Sequence, residues 1–328
     1  MKAKAILLAA ALCCYTFSGK AQVNFMDYFT NPTWHECDTG MESAIVLNLD
    51  KTSPNVSYAH DVVYTESFGH ELTLQILSPE RREASYPAVV FIQGSAWMQQ
   101  NVYANIPALS RFAAMGYVVA IVEYTHSGIA PFPAPLQDVK QAIRYMRKNA
   151  ERLGIDPENV FVWGDSSGGH LSLMTALTDG LFEKDEDADI PTTVNACVAY
   201  YPVTDIISIH RDPCSASTGK EDSPEGMLLG GVDVEEHPEE SAAASPVSYV
   251  SKDREIPPIM IAVGTCDHIV PFSQSELMAK VLSDAGKEYV HYVLKGADHG
   301  SWEFWTDEMF SRVGSFLQEH LKQVDNSL

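Results

Sequence analysis

The sequence predicts an α/β fold with a mostly parallel central sheet, helices on both faces and an antiparallel pair of strands at its N-terminal edge. Three observations support this prediction. From Tyr86 onwards, six apolar runs show no alternation with polar residues, as expected for strands that helices cover on both sides. Amphipathic segments separate these runs. Before them lies a stretch in which Leu72, Leu74 and Ile76 alternate with polar residues, which is typical of an edge strand with one solvated face.

The strands follow in chain order. Residues 61–64 and 70–77 are predicted as the antiparallel pair. The six later strands are short runs of β-branched, aliphatic and aromatic residues, at 88–92, 117–122, 160–163, 194–200, 259–263 and 289–294. Helices are predicted over 106–115, 135–153, 273–285 and 304–324, and the first three of these segments end next to a glycine, a common helix stop.

Residues 159–170 carry the clearest chemical signal. An apolar run ends at Gly164-Asp165-Ser166-Ser167-Gly168, and a helix-forming run without proline follows. Strand, sharp turn and helix with G-x-S-x-G at the turn is the layout of a nucleophile elbow. The glycines are needed because the turn brings two backbone positions close together. Ser166 is therefore the candidate nucleophile.

The acid and the base are sought just beyond the carboxyl ends of the strands, where open α/β sheets bind ligands. Asp267 follows the run 259–263, and His299 lies in a glycine-flanked loop after 289–294. The order Ser166, Asp267, His299 is that of a Ser…Asp…His triad. The competing histidines and acids are His126, His170, His268, His291, Asp205 and Asp298. Asp298 directly precedes His299. We therefore interpret Asp298 as a residue that forms a supporting hydrogen bond, not as the catalytic acid.

Small residues after the run 88–92 predict an oxyanion hole. The chain reads Gln93-Gly94-Ser95-Ala96-Trp97, in which backbone N–H groups can approach a ligand. The predicted donors are the N–H groups of Ser95, Ala96 and Ser167, with Gly94 in support.

Together these motifs resemble the α/β-hydrolase superfamily, in particular the hormone-sensitive-lipase-like esterases and the bifunctional feruloyl and acetyl xylan esterase-like (BD-FAE-like) family. The resemblance covers roughly residues 60–322. It is carried by GDSSGGH at 164–170, the run at 130–150, GTCDHIVP at 264–271 and GADHG at 296–300. It implies a carboxylesterase whose catalytic triad is Ser166, Asp267 and His299.

The chain departs from this family in two places. The family usually has H-G-G-G-W in the oxyanion loop, where this chain has QGSAW at 93–97. It often has Tyr-Arg after the next strand, where this chain has Tyr124-Thr125-His126. Three aromatic residues, Trp97, Tyr124 and Trp302, are candidates for a substrate-binding surface, with core packing as the alternative for each.

Composition limits the partners. The chain has 328 residues and a formal charge of −22, with 44 acidic and 22 basic side chains. Such a charge repels nucleic acid and anionic membrane, so the predicted partner is a small-molecule or polysaccharide ester. No C-x-x-C or H-E-x-x-H pattern is present, so neither a metal nor a cofactor is predicted.

The predicted organisation is a signal peptide at 1–21, an N-terminal extension at 22–60 and a catalytic domain at 61–328. The first 21 residues combine a basic start, a short apolar core and a small-residue exit, so we expect cleavage near Ala21 and export to the periplasm or the medium. No stable membrane span is expected after cleavage. Residues 205–253 are rich in polar residues and are interpreted as a lid-like excursion over the carboxyl ends of the strands, not as a separate domain. For most of its length a solvated loop is preferred to a substrate lid. Four cysteines remain after cleavage (Cys37, Cys197, Cys214 and Cys266), and their disulfide state is left open.

The leading hypothesis is an exported serine esterase acting on carboxylic esters such as acetyl or feruloyl groups on plant polysaccharide. One alternative is a serine peptidase of the prolyl-oligopeptidase type, which shares the elbow and triad. The other is a hydrolase-fold binding protein without catalytic activity, which the unusual QGSAW loop keeps open.

Overall fold

The computed structural model describes residues 45, 55–80, 85–184 and 186–322. The chain divides into two units, 1–50 and 51–328, and within the first unit only Ile45 is described. The predicted signal peptide and most of the predicted extension therefore lie outside the described residues.

The described strands are β1 (Val56–Ser67), β2 (His70–Pro79), β3 (Tyr86–Ile92), β4 (Val118–Val122), β5 (Ile155–Asp165), β6 (Cys197–Tyr200), β7 (Ile259–Gly264) and β8 (Tyr289–Leu294). They form one sheet in the order β1-β2-β4-β3-β5-β6-β7-β8. β2 pairs antiparallel with β1 and β4, and every pairing from β4 to β8 is parallel. The predicted fold class is confirmed.

β1 begins at Val56, earlier than the predicted start at Asp61. Its first residues are half-buried or exposed, so they carry no apolar pattern that could reveal a strand. A register shift interrupts the pairing with β2 between Ala59 and Val62, where Asp61 has a φ of 50°.

The described α-helices are α1 (Ile106–Ala113), α2 (Ala134–Lys148), α3 (Ala150–Leu153), α4 (Ser167–Leu177), α5 (Pro224–Leu228), α6 (Pro238–Ala243), α7 (Phe272–Asp284) and α8 (Asp307–Glu319). The closing helix, predicted over 304–324, begins later than predicted, at Asp307. A 3₁₀ turn at Trp302–Trp305 precedes it, and the Thr306 side chain caps α8 by accepting a hydrogen bond from the Met309 N–H. Among the described helices, none is both long and apolar enough to cross a bilayer.

The core consists of two hydrophobic layers, one on each face of the sheet. Successive residues of a strand enter opposite layers: Val160 and Val162 of β5 pack in one, and Phe161 and Trp163 in the other. Because both faces are buried, both sets must be apolar, which explains the continuous runs in the sequence.

The segment 205–253 packs onto the domain at several points along its length and is exposed between them. Between β6 and β7 it forms α5, α6 and two 3₁₀ turns, at Ile209–Arg211 and Pro246–Tyr249. Apolar side chains spaced along it are buried in the same layer as Val160: Ile206, Ile209, Leu228, Val234 and Ala244. Single apolar residues within a polar stretch give no periodic signal, and for this reason the sequence did not reveal the packing.

Candidate active site

The elbow places Ser166 at a tight turn between β5 and α4, with a φ of 52°. Both flanking glycines are needed for steric reasons. A Cβ on Gly164 would lie 2.3 Å from the Gly168 carbonyl oxygen, and a Cβ on Gly168 would lie 1.9 Å from the Ile92 carbonyl oxygen. Neither contact is possible, so only glycine allows the turn to close against the end of β3.

The structure brings Ser166, His299 and Asp267 into one hydrogen-bonded chain. The Ser166 hydroxyl lies 2.9 Å from His299 Nε2, and His299 Nδ1 lies 2.8 Å from Asp267 Oδ2. The other carboxylate oxygen, Oδ1, accepts the N–H groups of Ile269 and Val270 at 3.0 and 2.9 Å. Asp267 is thus fixed at both oxygens. Since Nδ1–H donates to this carboxylate, Nε2 is left as the acceptor facing the serine.

The competing imidazoles lie elsewhere. His268 contacts Asp298 instead of Asp267, at 2.6 Å. Asp298 in turn accepts the backbone N–H of His299 at 2.7 Å and that of His268 at 3.2 Å, and therefore ties the two loops together. His291 belongs to β8.

The oxyanion loop differs from its prediction at Ser95. The Ser95 N–H donates to the Ser167 hydroxyl oxygen at 2.9 Å, and the Gly94 N–H donates to Asp165 Oδ1 at 2.9 Å. Ser95 is therefore not a free donor, because the extra hydroxyl of Ser167 occupies its N–H group. Within the described part of the chain, the N–H groups of Ala96 and Ser167 have no acceptor, and these two remain as candidate donors to an oxyanion.

The loop holds two successive non-glycine residues in left-handed backbone conformation, Ala96 at φ 54° and Trp97 at φ 57°. Such conformations are strained and persist only where surrounding contacts fix them. Here the Ser95 hydroxyl donates to the Met98 carbonyl at 2.6 Å, and the Met98 N–H returns a bond to the Ser95 carbonyl at 3.0 Å. The Ser95 side chain thus adds a second hydrogen bond across the turn that the backbone bond closes.

A buried histidine, His170, holds the same loop in place through a hydrogen bond. The Trp97 indole N–H donates to His170 Nδ1 at 3.1 Å, and His170 Nε2–H donates to the Ala244 carbonyl at 2.7 Å. These bonds link the oxyanion loop, α4 and the 205–253 segment. Burial lowers the pKa of His170 to about 4, against the opposing effect of the Ala244 hydrogen bond, so the ring is neutral at physiological pH.

The pH dependence of stability provides a test of this link. Because the folded-state pKa of His170 lies below its unfolded value of 6.5, its contribution to stability is lost as the pH falls through 6.5 towards 4. The amide of His170→Gln can form both bonds without titrating. We therefore expect the melting temperature of this variant to fall less than that of the wild type between pH 7.5 and pH 5. His237→Gln, at a ring that is 41% exposed, should retain the wild-type slope. Equal slopes for all three proteins would contradict the assignment.

The pKa of Asp165, the residue before Ser166, is also shifted. Desolvation raises its pKa to about 6, partly offset by the Gly94 N–H and by the nearby His299. Its carboxylate contacts the Tyr201 hydroxyl at 3.4 Å. Asp165 therefore links the start of the oxyanion loop to the residue after β6.

The three aromatic candidates for substrate contact have different environments. Trp97, although only 1% exposed, lines a cavity beside Ser166. Tyr124 is 2% exposed and does not line this cavity. Its hydroxyl lies under the loop, 3.0 Å from Ser95 Oγ and 3.3 Å from the Gln93 carbonyl, which favours core packing, the alternative for this residue. Trp302 is 73% exposed but lines a separate groove between β8 and α8.

The cavity beside Ser166 has a volume of about 90 Å³. Its wall includes Ala96 and Ser167 near the nucleophile, and Val203 and Val270 after β6 and β7. Sequence reasoning missed the rest of the wall, which the 205–253 segment supplies through Ile209, Ala216, Ser217, Pro224 and Glu225. The segment therefore contributes directly to the space next to Ser166.

The hydroxyl of Ser167 gives a testable prediction. Ser167→Ala removes the acceptor of the Ser95 N–H and should loosen the oxyanion loop without changing the triad. We expect kcat for a nitrophenyl acetate to fall about fivefold with KM within about twofold, since one such hydrogen bond contributes about 1 kcal/mol. The matched control is Ser172→Ala on the same helix, whose buried hydroxyl has no partner among the described residues. Similar kcat losses in both variants would contradict a specific role for Ser167.

Among the described residues, no group of three or more His, Cys, Asp or Glu side chains could hold a metal ion. Cys197 is buried, and Cys214 and Cys266 are exposed; all three are free thiols. Cys37 lies outside the described residues.

Comparison with known proteins finds that the chain is similar to esterases. The sequence profile of the BD-FAE family matches residues 74–282. Esterase LipQ of Mycobacterium tuberculosis is 31% identical over 296 residues, which are 84% of this chain and 66% of that protein. The chain spans between 53% and 66% of the length of the curated relatives that match first.

Two solved structures extend the comparison. A truncated carbohydrate esterase from gut microbiota has a TM-score of 0.73 at 28% identity, covering 83% of this chain and 98% of that one. A thermophilic esterase from the Planctomycetes species Thermogutta terrifontis, solved with bound propionate, has a TM-score of 0.66 at 25% identity, covering 82% and 95%. The similarity therefore includes nearly the whole of both solved chains.

Proposed function

The chain belongs to the BD-FAE family and has the α/β-hydrolase fold, and on this basis we propose that it is a serine carboxylic ester hydrolase with Ser166, His299 and Asp267 as its catalytic triad. The observation that carries the proposal is the continuous hydrogen-bonded chain from the Ser166 hydroxyl through His299 to Asp267. Nucleophile, base and orienting acid lie at the distances that acyl transfer requires.

In the first half of the reaction, His299 Nε2 takes the Ser166 proton while Oγ attacks the ester carbonyl. The negative charge that develops on the carbonyl oxygen is stabilised by the N–H groups of Ala96 and Ser167. Ser167 lies at the first position of α4, so the positive end of the helix dipole adds to this stabilisation. Asp267 holds the imidazole in the required tautomer and stabilises its cationic form.

The second half releases the products. His299 passes its proton to the departing alcohol oxygen, which leaves an acyl group on Ser166. A water molecule, deprotonated by His299, then attacks the acyl carbonyl carbon. The bond from this carbon to Ser166 Oγ breaks, the carboxylic acid leaves, and His299 returns the proton to Oγ.

We propose that the substrates are short-acyl esters of carbohydrate, with acetyl favoured over feruloyl. The cavity beside Ser166 is small, with a volume of about 90 Å³. An acetyl group has three non-hydrogen atoms and a feruloyl group many more, so the smaller acyl group is the better match. The relatedness to a carbohydrate esterase and to an esterase solved with propionate supports this substrate class.

We also propose that the protein is exported after removal of residues 1–21, from the basic start and short apolar core of its N-terminus. The intact mass of the protein recovered from the periplasm or the medium of an expressing bacterium tests this. A mass beginning at Gln22 is expected, and a cell-retained chain that still begins at Met1 would contradict it.

A fluorophosphonate probe tests the enzymatic proposal. The wild type should be labelled and Ser166→Ala should not; no labelling of the wild type would contradict a serine hydrolase. Hydrolysis of nitrophenyl acetate, a prolyl peptide and acetylated xylan then ranks the substrates. Cleavage of the peptide alone would favour the peptidase alternative, and failure on all three would favour a binding protein.

A further inference from the structure

We propose that a buried carboxylate on the 205–253 segment, Glu225, limits the length of the acyl group that the site accepts. The inference rests on the proposed esterase function and refines it. Glu225 lies in the first turn of α5, is 3% exposed, and lines the same cavity as Ser166.

The carboxylate is incompletely paired. Its Oε2 accepts a hydrogen bond from the Ser217 hydroxyl at 2.5 Å. In the described part of the chain its side chain has no other hydrogen-bond partner and no ion pair. Buried carboxylates normally satisfy several hydrogen bonds or pair with a cation, because losing solvent without compensation is costly. A group that fills the cavity next to Glu225 therefore determines how much water can still reach this carboxylate.

The position of the cavity indicates which half of the ester it receives. The alcohol oxygen must lie next to His299 Nε2, since that atom gives it a proton. His299 is not among the described residues that line the cavity, whereas the oxyanion donors Ala96 and Ser167 are. The cavity therefore lies on the acyl side of the scissile bond.

Glu225 favours a short acyl group in this position. An acetyl group has only one carbon beyond its carbonyl, so it occupies little of the cavity of about 90 Å³ that Ser166 and Glu225 both line. A butyryl chain would press two further carbons against Glu225 and Ser217, and would remove solvent from the oxygen that Ser217 does not reach. Desolvation of the charge, added to crowding, would select against the longer chain.

A purely structural role for Glu225 makes a different prediction. If it served only to tie the loop at Ser217 to α5, its replacement would lower stability and affect all esters equally. The ratio of activities on two acyl lengths separates these roles, because a general loss of folded enzyme cancels in the ratio.

The experiment compares kcat/KM for nitrophenyl butyrate and nitrophenyl acetate in the full chain. Glu225→Leu replaces the charge with an apolar side chain, and we expect the butyrate-to-acetate ratio to rise about tenfold. Glu225→Gln keeps the size and an acceptor for Ser217, and we expect about a threefold rise. The control Glu221→Gln removes the same charge from an exposed position on the same segment and should leave the ratio unchanged.

Ratios within twofold of the wild type in both Glu225 variants would overturn the proposal. If Glu225→Leu did not fold, the isosteric glutamine variant would still decide it. The proposed function fails separately, since in that case the wild type would hydrolyse neither ester.

Discussion

Replacing His299 with alanine should lower kcat/KM for a nitrophenyl acetate by at least ~10⁴-fold while leaving the fold intact. In the proposed mechanism the imidazole receives the Ser166 proton and later protonates the leaving group, so both halves of the reaction would lose their proton carrier. Its side chain is 11% exposed and contacts the Tyr201 ring at the edge of the core, with ring centroids 4.6 Å apart. Because His299 lies in a loop after β8 and Asp267 keeps its two backbone hydrogen bonds, the melting temperature should change little. Steady-state kinetics together with thermal denaturation measure both effects.

His268→Ala is the matched control for this prediction. His268 lies on the Asp267 loop and is paired with Asp298, with its side chain 69% exposed. Because it does not contact Ser166 or Asp267, we expect less than a fivefold loss of kcat/KM, arising from a looser Asp298 bridge to the His299 loop. A loss from His268→Ala as large as that from His299→Ala would show that the base has been assigned to the wrong imidazole.

The sequence predicted the sheet because strands that are buried on both faces have an apolar composition that can be recognised in the sequence. The parallel strands of the centre need apolar residues at every position, whereas β2 needs them only at alternate ones. The same reasoning predicted the closing helix wrongly at its start, because Phe304 and Trp305 have an apolar pattern but belong to a 3₁₀ turn. That turn is separated from α8 by a side-chain cap at Thr306, a local hydrogen bond that hydrophobic periodicity does not register.

The structure brings Ser166, Asp267 and His299 together for a topological reason that the sequence already contains. Each residue follows the carboxyl end of a different strand, and in a parallel sheet these ends share one edge. Chain order and glycine-rich context were therefore sufficient to select them as neighbours. Their catalytic roles are a separate matter, which the His299 and Ser166 variants test.

The hydrogen bonds of the oxyanion loop could not be predicted from the sequence. Its geometry depends on contacts between side chains that are distant in sequence: the Ser95 N–H on the Ser167 hydroxyl, and Trp97 on His170. A motif identifies small residues in the loop but not which N–H groups are already engaged. For the same reason Tyr124 seemed available to a substrate, whereas its hydroxyl is buried beneath the loop.

The 205–253 segment illustrates a further limit. Ile209, Ser217 and Glu225 meet at the Ser166 cavity only because α5 and the preceding turns fold back over the end of the sheet. Residues that converge from an irregular segment have no periodic spacing, so sequence patterns do not select them. If this segment controls acyl length, substrate preference can change among relatives without any change in the triad.

The elbow glycines give the largest expected effect on stability. Gly168→Ala would place a Cβ 1.9 Å from the Ile92 carbonyl oxygen and 2.9 Å from the Gln93 carbonyl carbon. All nearby atoms are backbone, so α4 and the end of β3 must separate, and that movement displaces both the nucleophile and the oxyanion loop. We expect the free energy of unfolding to fall by more than ~3 kcal/mol, with loss of fluorophosphonate labelling in any folded fraction.

A second helical glycine provides the control. Gly314→Ala in α8 would meet only the terminal methyl group of Met115, at 2.9 Å, and that flexible side chain is half-exposed and can move aside. Since alanine is a better helix former than glycine, this variant should be neutral or up to about 1 kcal/mol more stable. Chemical denaturation of both variants measures the contrast. Equal stabilities would mean that the close approach of α4 to β3 can relax, and that glycine at the elbow is required by something other than the steric limit at Ile92.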